Sequence, residues 1–284
     1  MAESTSAVPD RAAASHPLDV AHITKRFTTT DGVLTAVDDV SFSVAASEFV
    51  SIIGPSGCGK STLFNIIGGL IGGHDGRVVV DGATISGTHP AIGMVFQDES
   101  TFPWRTVLDN VAFPLELTGM AKAERREQAA HFVDLVGLSG FERRYPAELS
   151  GGMRQRVAIA RTLAAQPRIL LMDEPFAALD EQTRLLLGDT VLRIKDALDQ
   201  TTILITHNLT EAVQLSDRVL VMTYRPGRLK REVAIDLPRP RDSEVVASAA
   251  FGRYVGEIWQ DLREEASRGI RDAESRALHR RAPR

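Results

Sequence analysis

The feature that most constrains this chain is the nine-residue run 54–62, which reads Gly-Pro-Ser-Gly-Cys-Gly-Lys-Ser-Thr. An apolar run of buried-strand type, 49–53, precedes it, and residues 61–70 have the pattern of a helix. The run fits G-x-x-x-x-G-K-[ST], in which glycines let the backbone curl so that several N–H groups point at one anion. The sequence therefore predicts a strand, a phosphate-binding loop and a helix, in that order. A glycine-rich turn without a ligand is the alternative, and the strand and helix on either side disfavour it.

Individual positions of this loop predict contacts with a nucleotide and a metal ion. Lys60 reaches the β- and γ-phosphates, and the Ser61 hydroxyl is placed to bind Mg²⁺. The helix that follows directs its positive N-terminal end at the anion. The residues predicted to hold the nucleotide in this loop are Gly54, Pro55, Ser56, Gly57, Cys58, Gly59, Lys60, Ser61 and Thr62.

Two carboxylates follow a second apolar run, 169–172. Asp173 can hold the Mg²⁺ shell, as the acidic residue at this strand end does in P-loop NTPases. Glu174 can polarise the attacking water as a general base. Taken alone, the pair fits a solvated strand end or a helix N-cap equally well, so its meaning depends on the other motifs.

Residues 149–156, Leu-Ser-Gly-Gly-Met-Arg-Gln-Arg, closely resemble the signature of ABC-type ATPases. In that family the signature contacts the γ-phosphate that the other subunit's P-loop holds. Ser150, Gly151 and Gly152 lie just before a predicted helix, 153–165, and so form a second N-terminal anion site. Met153 stands where the family more often has Gln, and its side chain cannot donate a hydrogen bond.

The resemblance extends to further motifs in family order. Residues 95–98 resemble the Q-loop, in which Gln97 would ligate Mg²⁺ and sense the γ-phosphate, and residues 178–180 resemble the D-loop at the dimer interface. His207 resembles the switch histidine that orients the water and Glu174. Phe27 stands where the family places an aromatic that stacks on adenine, although packing explains a lone aromatic equally well.

What the resemblance implies is an ATPase that uses ATP and Mg²⁺ and works as a dimer of two copies. Each nucleotide would lie between one P-loop and the signature of the second copy. The implied catalytic residues are Glu174, His207 and Lys60, and the implied metal ligands are Ser61, Gln97 and Asp173.

A closer resemblance is to the ATPases of nitrate, sulfonate and taurine importers. It rests on residues 96–99, 102–111, 149–156 and 172–176. It implies uptake of a small anion through a separate permease, with a periplasmic or extracellular solute-binding protein acting indirectly. Trp104 would then either pack in the core or anchor a cytoplasmic helix of the permease. Alternatives are a non-transport ABC ATPase, which usually carries two cassettes or a long insert, and a P-loop kinase of small metabolites.

Composition limits the location and partners of the chain. No stretch approaches roughly 18 uninterrupted apolar residues, and the polar, acidic N-terminus lacks the features of a secretion signal. We expect a peripheral protein on the cytoplasmic face of the membrane. The net charge of −4 argues against bulk binding of nucleic acid. The single cysteine excludes an internal disulfide and suits a reducing compartment.

That cysteine, Cys58, lies inside the P-loop and has two interpretations. It is either a small apolar residue that the loop tolerates or a reactive thiol. In the second case Lys60 and the helix N-terminus would lower its pKa, so that a maleimide would inactivate the enzyme and ATP would protect it.

The predicted fold class is α/β, a P-loop NTPase with a mainly parallel sheet, an antiparallel β-subdomain and an α-helical subdomain. Residues 1–16 are expected to form a disordered leader and 17–240 the ATPase domain, with the helical insert at about 98–158. Branched residues between 18 and 48 and the dipeptide Asp31-Gly32 predict an antiparallel hairpin.

The segment 241–284 is expected to form a C-terminal helical extension and a basic tail. Its apolar residues recur at helical spacing and predict one continuous stripe. The stripe either packs on the chain's own core or serves as a dimer or regulatory docking face, and the tail is either solvated or in contact with anionic lipid headgroups. The stripe consists of Phe251, Tyr254, Val255, Ile258, Trp259 and Leu262.

Overall fold

A computed structural model describes residues 16–30, 32–98 and 100–281, with side chains except at 243, 270 and 272–281. The expected leader, apart from His16, lies outside the described residues, as do Asp31, Glu99 and most side chains of the basic tail. The strands are β1 (Leu18–Thr29), β2 (Gly32–Val44), β3 (Phe49–Ile53), β4 (Asp75–Val80), β5 (Ala83–Ile85), β6 (Ile92–Val95), β7 (Ile169–Asp173), β8 (Thr201–Ile205), β9 (Arg218–Met222) and β10 (Leu229–Ala234). The helices are α1 (Lys60–Ile67), α2 (Val107–Leu117), α3 (Lys122–Leu135), α4 (Gly151–Ala164), α5 (Glu181–Ala197), α6 (Leu209–Leu215), α7 (Ser243–Val246) and α8 (Ala249–Arg281).

The first four-stranded sheet is antiparallel, in the order β2-β1-β4-β5. The predicted hairpin is confirmed, because β1 and β2 pair from Leu18 opposite Val44 to Thr29 opposite Gly32. Apolar side chains of this sheet, of α1 and of the second sheet form one buried cluster. Helix α1 is therefore held between the two sheets.

The second sheet has six strands in the order β10-β9-β3-β8-β7-β6. All neighbouring strands are parallel except β9 and β10, so the predicted mainly parallel sheet is confirmed. Parallel strands bring their carboxyl ends to the same edge of a sheet. The loops after β3, β6, β7 and β8 consequently meet at one place, although about 150 residues separate the first from the last.

Between β6 and β7 the described residues form helices and no strand, as the sequence predicts for the insert. Helices α2, α3 and α4 pack on one another around residues such as Val111, Phe132 and Val157. Helix α4 begins at Gly151 and not at 153, because the Ser150 hydroxyl accepts a hydrogen bond from the Met153 amide and caps it. Helix α1 ends at Ile67, short of 70, because Gly69 takes a left-handed conformation with φ of +72°.

The C-terminal stripe packs on the chain's own core, which confirms that interpretation for most of its length. Phe251 and Ile258 are buried against α6, β9 and β10, whereas Trp259 is 54% exposed.

The segment before α7 and α8 is fixed by Arg241, whose guanidinium donates to carbonyls at the end of α6 and to the carbonyl of Ile235. Burial lowers the pKa of Arg241 to about 10. The boundary drawn at residue 240 stays a prediction.

No helix in the described part of the chain is both long enough and apolar enough to cross a membrane.

Candidate nucleotide-binding site

A cleft of about 600 Å³ opens at the carboxyl edge of the parallel sheet. Residues from both sheets and from widely separated loops line it, and most of the predicted site residues are among them. The lining residues are Phe27, Leu34, Ala36, Ser56, Gly57, Gly59, Lys60, Ser61, Thr62, Gln97, Glu174, His207 and Arg225.

The loop between β3 and α1 has the geometry of a phosphate cradle. Gly59 has φ of +104°, and a Cβ atom there would lie 2.5 Å from the Ala36 carbonyl oxygen, so only glycine fits. The Lys60 ammonium is nearly buried and donates to the carbonyls of Gly54, at 2.7 Å, and Pro55, at 3.2 Å. A curled backbone with a fixed cation at its mouth fits a nucleotide polyphosphate.

The predicted metal ligands Asp173 and Ser61 lie beside this loop. Asp173 is buried at the end of β7, and this burial raises its pKa, against the opposing effects of the Ser61 hydroxyl and the Lys60 ammonium. Carboxylate and hydroxyl oxygens are the donors that Mg²⁺ prefers. Their chemistry and placement therefore fit a magnesium ion bound with the phosphates.

Two polar side chains converge on one oxygen of the Glu174 carboxylate. Gln97 Nε2 donates to Glu174 Oε2 at 3.3 Å, and His207 Nδ1 lies 3.2 Å from the same oxygen. The Glu174 backbone has φ of +47°, an unusual conformation for a residue with a side chain, and its amide donates to the Ile205 carbonyl at 2.8 Å. The surrounding loops thus hold Glu174 in a strained conformation that directs its carboxylate into the cleft.

Phe27 lies in the wall of the cleft beside Leu34 and Ala36 of β2 and is half-buried. The Lys25 ammonium lies 5.1 Å from the centre of its ring. The ring thus borders the cleft, and its contact with adenine stays a prediction.

The signature residues lie elsewhere on the same subunit. Ser150, Gly151 and Gly152 line a separate cavity of about 360 Å³ together with residues 178–180. None of them is among the residues that line the nucleotide cleft. Met153 is half-buried against the apolar cluster of the helical insert, so it acts there as a packing residue.

Of the two interpretations of Cys58, the reactive thiol with a lowered pKa is wrong. The thiol is fully buried, and this burial raises its pKa more than the nearby Lys60 ammonium lowers it. A Cβ atom on Gly54 would lie 2.8 Å from the Cys58 sulfur, which shows how closely the loop packs around it. Cys58 is a small apolar residue of the loop interior.

We accordingly expect native protein at pH 7.5 to resist N-ethylmaleimide, with or without ATP, because the thiol is both inaccessible and protonated. Intact-mass spectrometry after one hour should show no adduct, whereas the same reagent should add once to the chain in 6 M guanidinium. Rapid labelling of the native protein that ATP prevents would contradict the buried placement.

Three lining residues, Leu34, Ala36 and Arg225, are not among those predicted from the sequence, and Arg225 is the polar one. It belongs to the loop between β9 and β10, and its Nε donates to the Gly57 carbonyl at 2.8 Å. No motif marks an arginine so far along the chain from the P-loop, and only the neighbouring positions of β3 and β9 bring it there.

The sequence profile of the ABC transporter family matches residues 37–177. An uncharacterized ABC transporter ATP-binding protein of Methanocaldococcus jannaschii is 49% identical over 89% of this chain and 94% of its own. The chain belongs to the ABC transporter family. It is an ABC ATPase.

Some relatives have names that state a transported solute. The nitrate import ATP-binding protein of Synechocystis is 42% identical over 87% of this chain and 95% of its own. The aliphatic sulfonates import ATP-binding protein of Bacillus cereus strain ZK is 40% identical over 79% of this chain and 88% of its own.

The fold also matches solved structures of this family. A dimeric ATP-binding cassette bound to ADP and phosphate, in a post-hydrolysis state, superposes with a TM-score of 0.71 and 32% identity. The match covers 77% of this chain and 98% of that one. The α/β P-loop fold predicted from the sequence is confirmed.

Proposed function

We propose that this ABC ATPase binds ATP in the cleft described above and hydrolyses it to energise import of a small anion through a separate permease. The observation that carries the proposal is the meeting of Gln97 and His207 on the Glu174 carboxylate, next to the P-loop. A carboxylate held in this way can orient and deprotonate a water molecule that attacks the γ-phosphate.

The roles of the lining residues follow from their chemistry. Lys60 and the P-loop amides bind the phosphates, Phe27 stacks on adenine, and Glu174 accepts the proton of the attacking water. His207 holds Glu174 and the γ-phosphate in position. Ser61, Gln97 and Asp173 would hold Mg²⁺, which would neutralise charge on the phosphate oxygens.

We further propose that two copies form the active unit, because the P-loop and the signature of one subunit line different cavities. Ser150, Gly151 and Gly152 precede α4, whose N-terminal end is capped by Ser150 itself and can face an anion from outside. In a dimer these residues would complete the nucleotide site of the other copy. The solved cassette that this chain resembles is described as dimeric.

A surface for the permease is proposed at the start of α2. Trp104 is 72% exposed, so its interpretation as a core residue is wrong. Its ring lies 5.7 Å from that of Phe102, and Leu117, at the other end of α2, is 75% exposed. An exposed aromatic of this kind suits an anchor for a cytoplasmic helix of the permease. The chain would then be peripheral on the cytoplasmic face of the membrane.

The cargo is proposed to be nitrate or an organosulfonate such as taurine, since the relatives described above are named for nitrate and for aliphatic sulfonates. A separate periplasmic or extracellular binding protein would select it. Deleting the gene should abolish growth either on nitrate as sole nitrogen or on taurine and alkanesulfonates as sole sulfur. Growth should return with the wild-type gene and not with Lys60→Ala. Unchanged growth on all of these sources would overturn the proposed cargo.

A further inference from the structure

The loop between β9 and β10, residues 223–228, packs directly on the P-loop. The Arg225 Nε donates to the Gly57 carbonyl of the P-loop at 2.8 Å, and the Gly227 amide donates to the carbonyl of Ala36 in the adjacent strand β2 at 3.0 Å. A Cβ atom on Gly227 would lie 2.1 Å from the Cys58 carbonyl oxygen, so the two loops are in backbone contact. We call residues 223–228 the bracing loop.

Arg225 carries N–H donors at the nucleotide cleft that no described residue accepts. Its guanidinium lies against Gly57, since a Cβ atom there would be 2.7 Å from Arg225 Nη2. The side chain is exposed, lines the cleft with Lys60, and makes no other hydrogen bond within the described part of the chain. A guanidinium fixed through Nε still has its two terminal nitrogens to donate, and phosphate oxygens are suitable acceptors.

Helix α8 holds the bracing loop from the opposite side. Glu265 is 1% exposed, and its carboxylate accepts the Tyr224 amide at 2.9 Å. It also pairs with Lys230 at 3.1 Å and with Arg268 at 3.0 Å. The ring of Tyr224 lies against Gly269, where a Cβ atom would approach it to 2.9 Å. The C-terminal helix thus fixes the backbone of the residue that precedes Arg225.

We propose that Arg225 is a further nucleotide-binding residue that donates to the polyphosphate, and that Glu265 of α8 is the residue that positions it. This inference rests on the proposed binding of ATP in the cleft. It gives the C-terminal extension a role beyond packing, because a change in α8 would reach the phosphates through Tyr224, Arg225 and Gly57. The expected consequence is control of ATP affinity, with little effect on the chemical step.

The first test is titration calorimetry of the full chain with ATP and with inorganic tripolyphosphate, without Mg²⁺ so that no hydrolysis occurs. Arg225→Ala should weaken both ligands about tenfold, the loss of one charge-assisted contact. Arg225→Lys, which keeps the charge, should recover part of the affinity. The matched control is Arg228→Ala in the same loop, whose guanidinium pairs with Asp38 and does not line the cleft. It should stay within twofold of the wild type.

Steady-state ATPase assays separate a loss of ATP affinity, which changes only KM, from a general loss of structure, which would also lower kcat. For Arg225→Ala the KM for ATP should rise about tenfold while kcat at saturating ATP stays within twofold. Unchanged affinity for both ligands, or a fall in kcat with an unchanged KM, would overturn the role of Arg225. If Lys60→Ala also leaves ATP binding intact, the proposed function itself fails, and the two failures are thereby distinguished.

The role of Glu265 is tested with a double-mutant cycle. Glu265→Ala should weaken ATP several-fold in the wild type and should add nothing in the Arg225→Ala background, because both changes act through one contact. Glu265→Gln keeps an acceptor for the Tyr224 amide and should lose less affinity. If Glu265→Ala does not fold, as judged by thermal unfolding, the cycle is run with Glu265→Gln. Additive effects in the cycle would overturn the link to α8.

Discussion

Replacement of Glu174 by Gln is expected to lower kcat roughly 10²–10⁴-fold, the range that a positioned general base contributes. The amide has nearly the same volume and keeps an oxygen that can accept from Gln97, but it cannot take a proton from water. ATP binding should be retained, because Glu174 is not part of the P-loop. Phosphate release and calorimetric titration measure the two properties separately.

The same variant should accumulate as a closed dimer with ATP, since closure no longer ends in hydrolysis. Size-exclusion chromatography with light scattering detects this form. The matched control is Glu124→Gln on the exposed face of α3, which removes a carboxylate of the same type far from the cleft and should behave as the wild type. Normal turnover by Glu174→Gln would refute the assignment of the general base.

Replacement of Lys60 by Ala is expected to weaken ATP by about 10- to 100-fold and to remove measurable turnover at millimolar ATP. The ammonium is nearly buried at the mouth of the P-loop, where hydrogen bonds from Lys60 to two carbonyls fix it. A charged hydrogen bond in such a site contributes about 1.5–3 kcal/mol, and each 1.4 kcal/mol is about tenfold in affinity.

Calorimetry with ATP, in parallel with phosphate release, measures this loss. Lys122→Ala is the matched control, because Lys122 is exposed at the start of α3 and its ammonium lies outside the lining of the cleft. Retention of full ATP affinity by Lys60→Ala would show that the nucleotide lies elsewhere. That result would also remove the basis for assigning the neighbouring lining residues.

Where a single loop forms part of the site, residues close together in the sequence are sufficient to predict its structure. Gly57 and Gly59 allow the left-handed turns of the P-loop whatever surrounds them, and the Ser150 hydroxyl caps α4 through the backbone three residues later. The alternation of apolar runs with helical segments was sufficient to predict the parallel sheet. The convergence of Gln97, Glu174 and His207 also follows, since each lies one or two residues beyond the end of a parallel strand.

The burial or exposure of individual side chains depended on contacts between segments that are distant in the sequence. The choice between a small packing residue and a reactive thiol at Cys58 stayed open because the sequence shows a neighbouring lysine but not the packing that buries the thiol and raises its pKa. Trp104, whose burial the sequence left open, and Trp259, whose place in the apolar stripe fits burial, are both exposed, because no element in the described part of the chain covers them.

By itself, the sequence determined the family, the phosphate-binding loop, the acidic strand end and the order of the strands and helices, because these depend on local backbone geometry and hydrophobic pattern. Only the tertiary structure placed Arg225 against Gly57 and Glu265 beneath Tyr224. Those contacts join residues 168 and 41 positions apart in the chain, and the packing of β9, β10 and α8 brings them together.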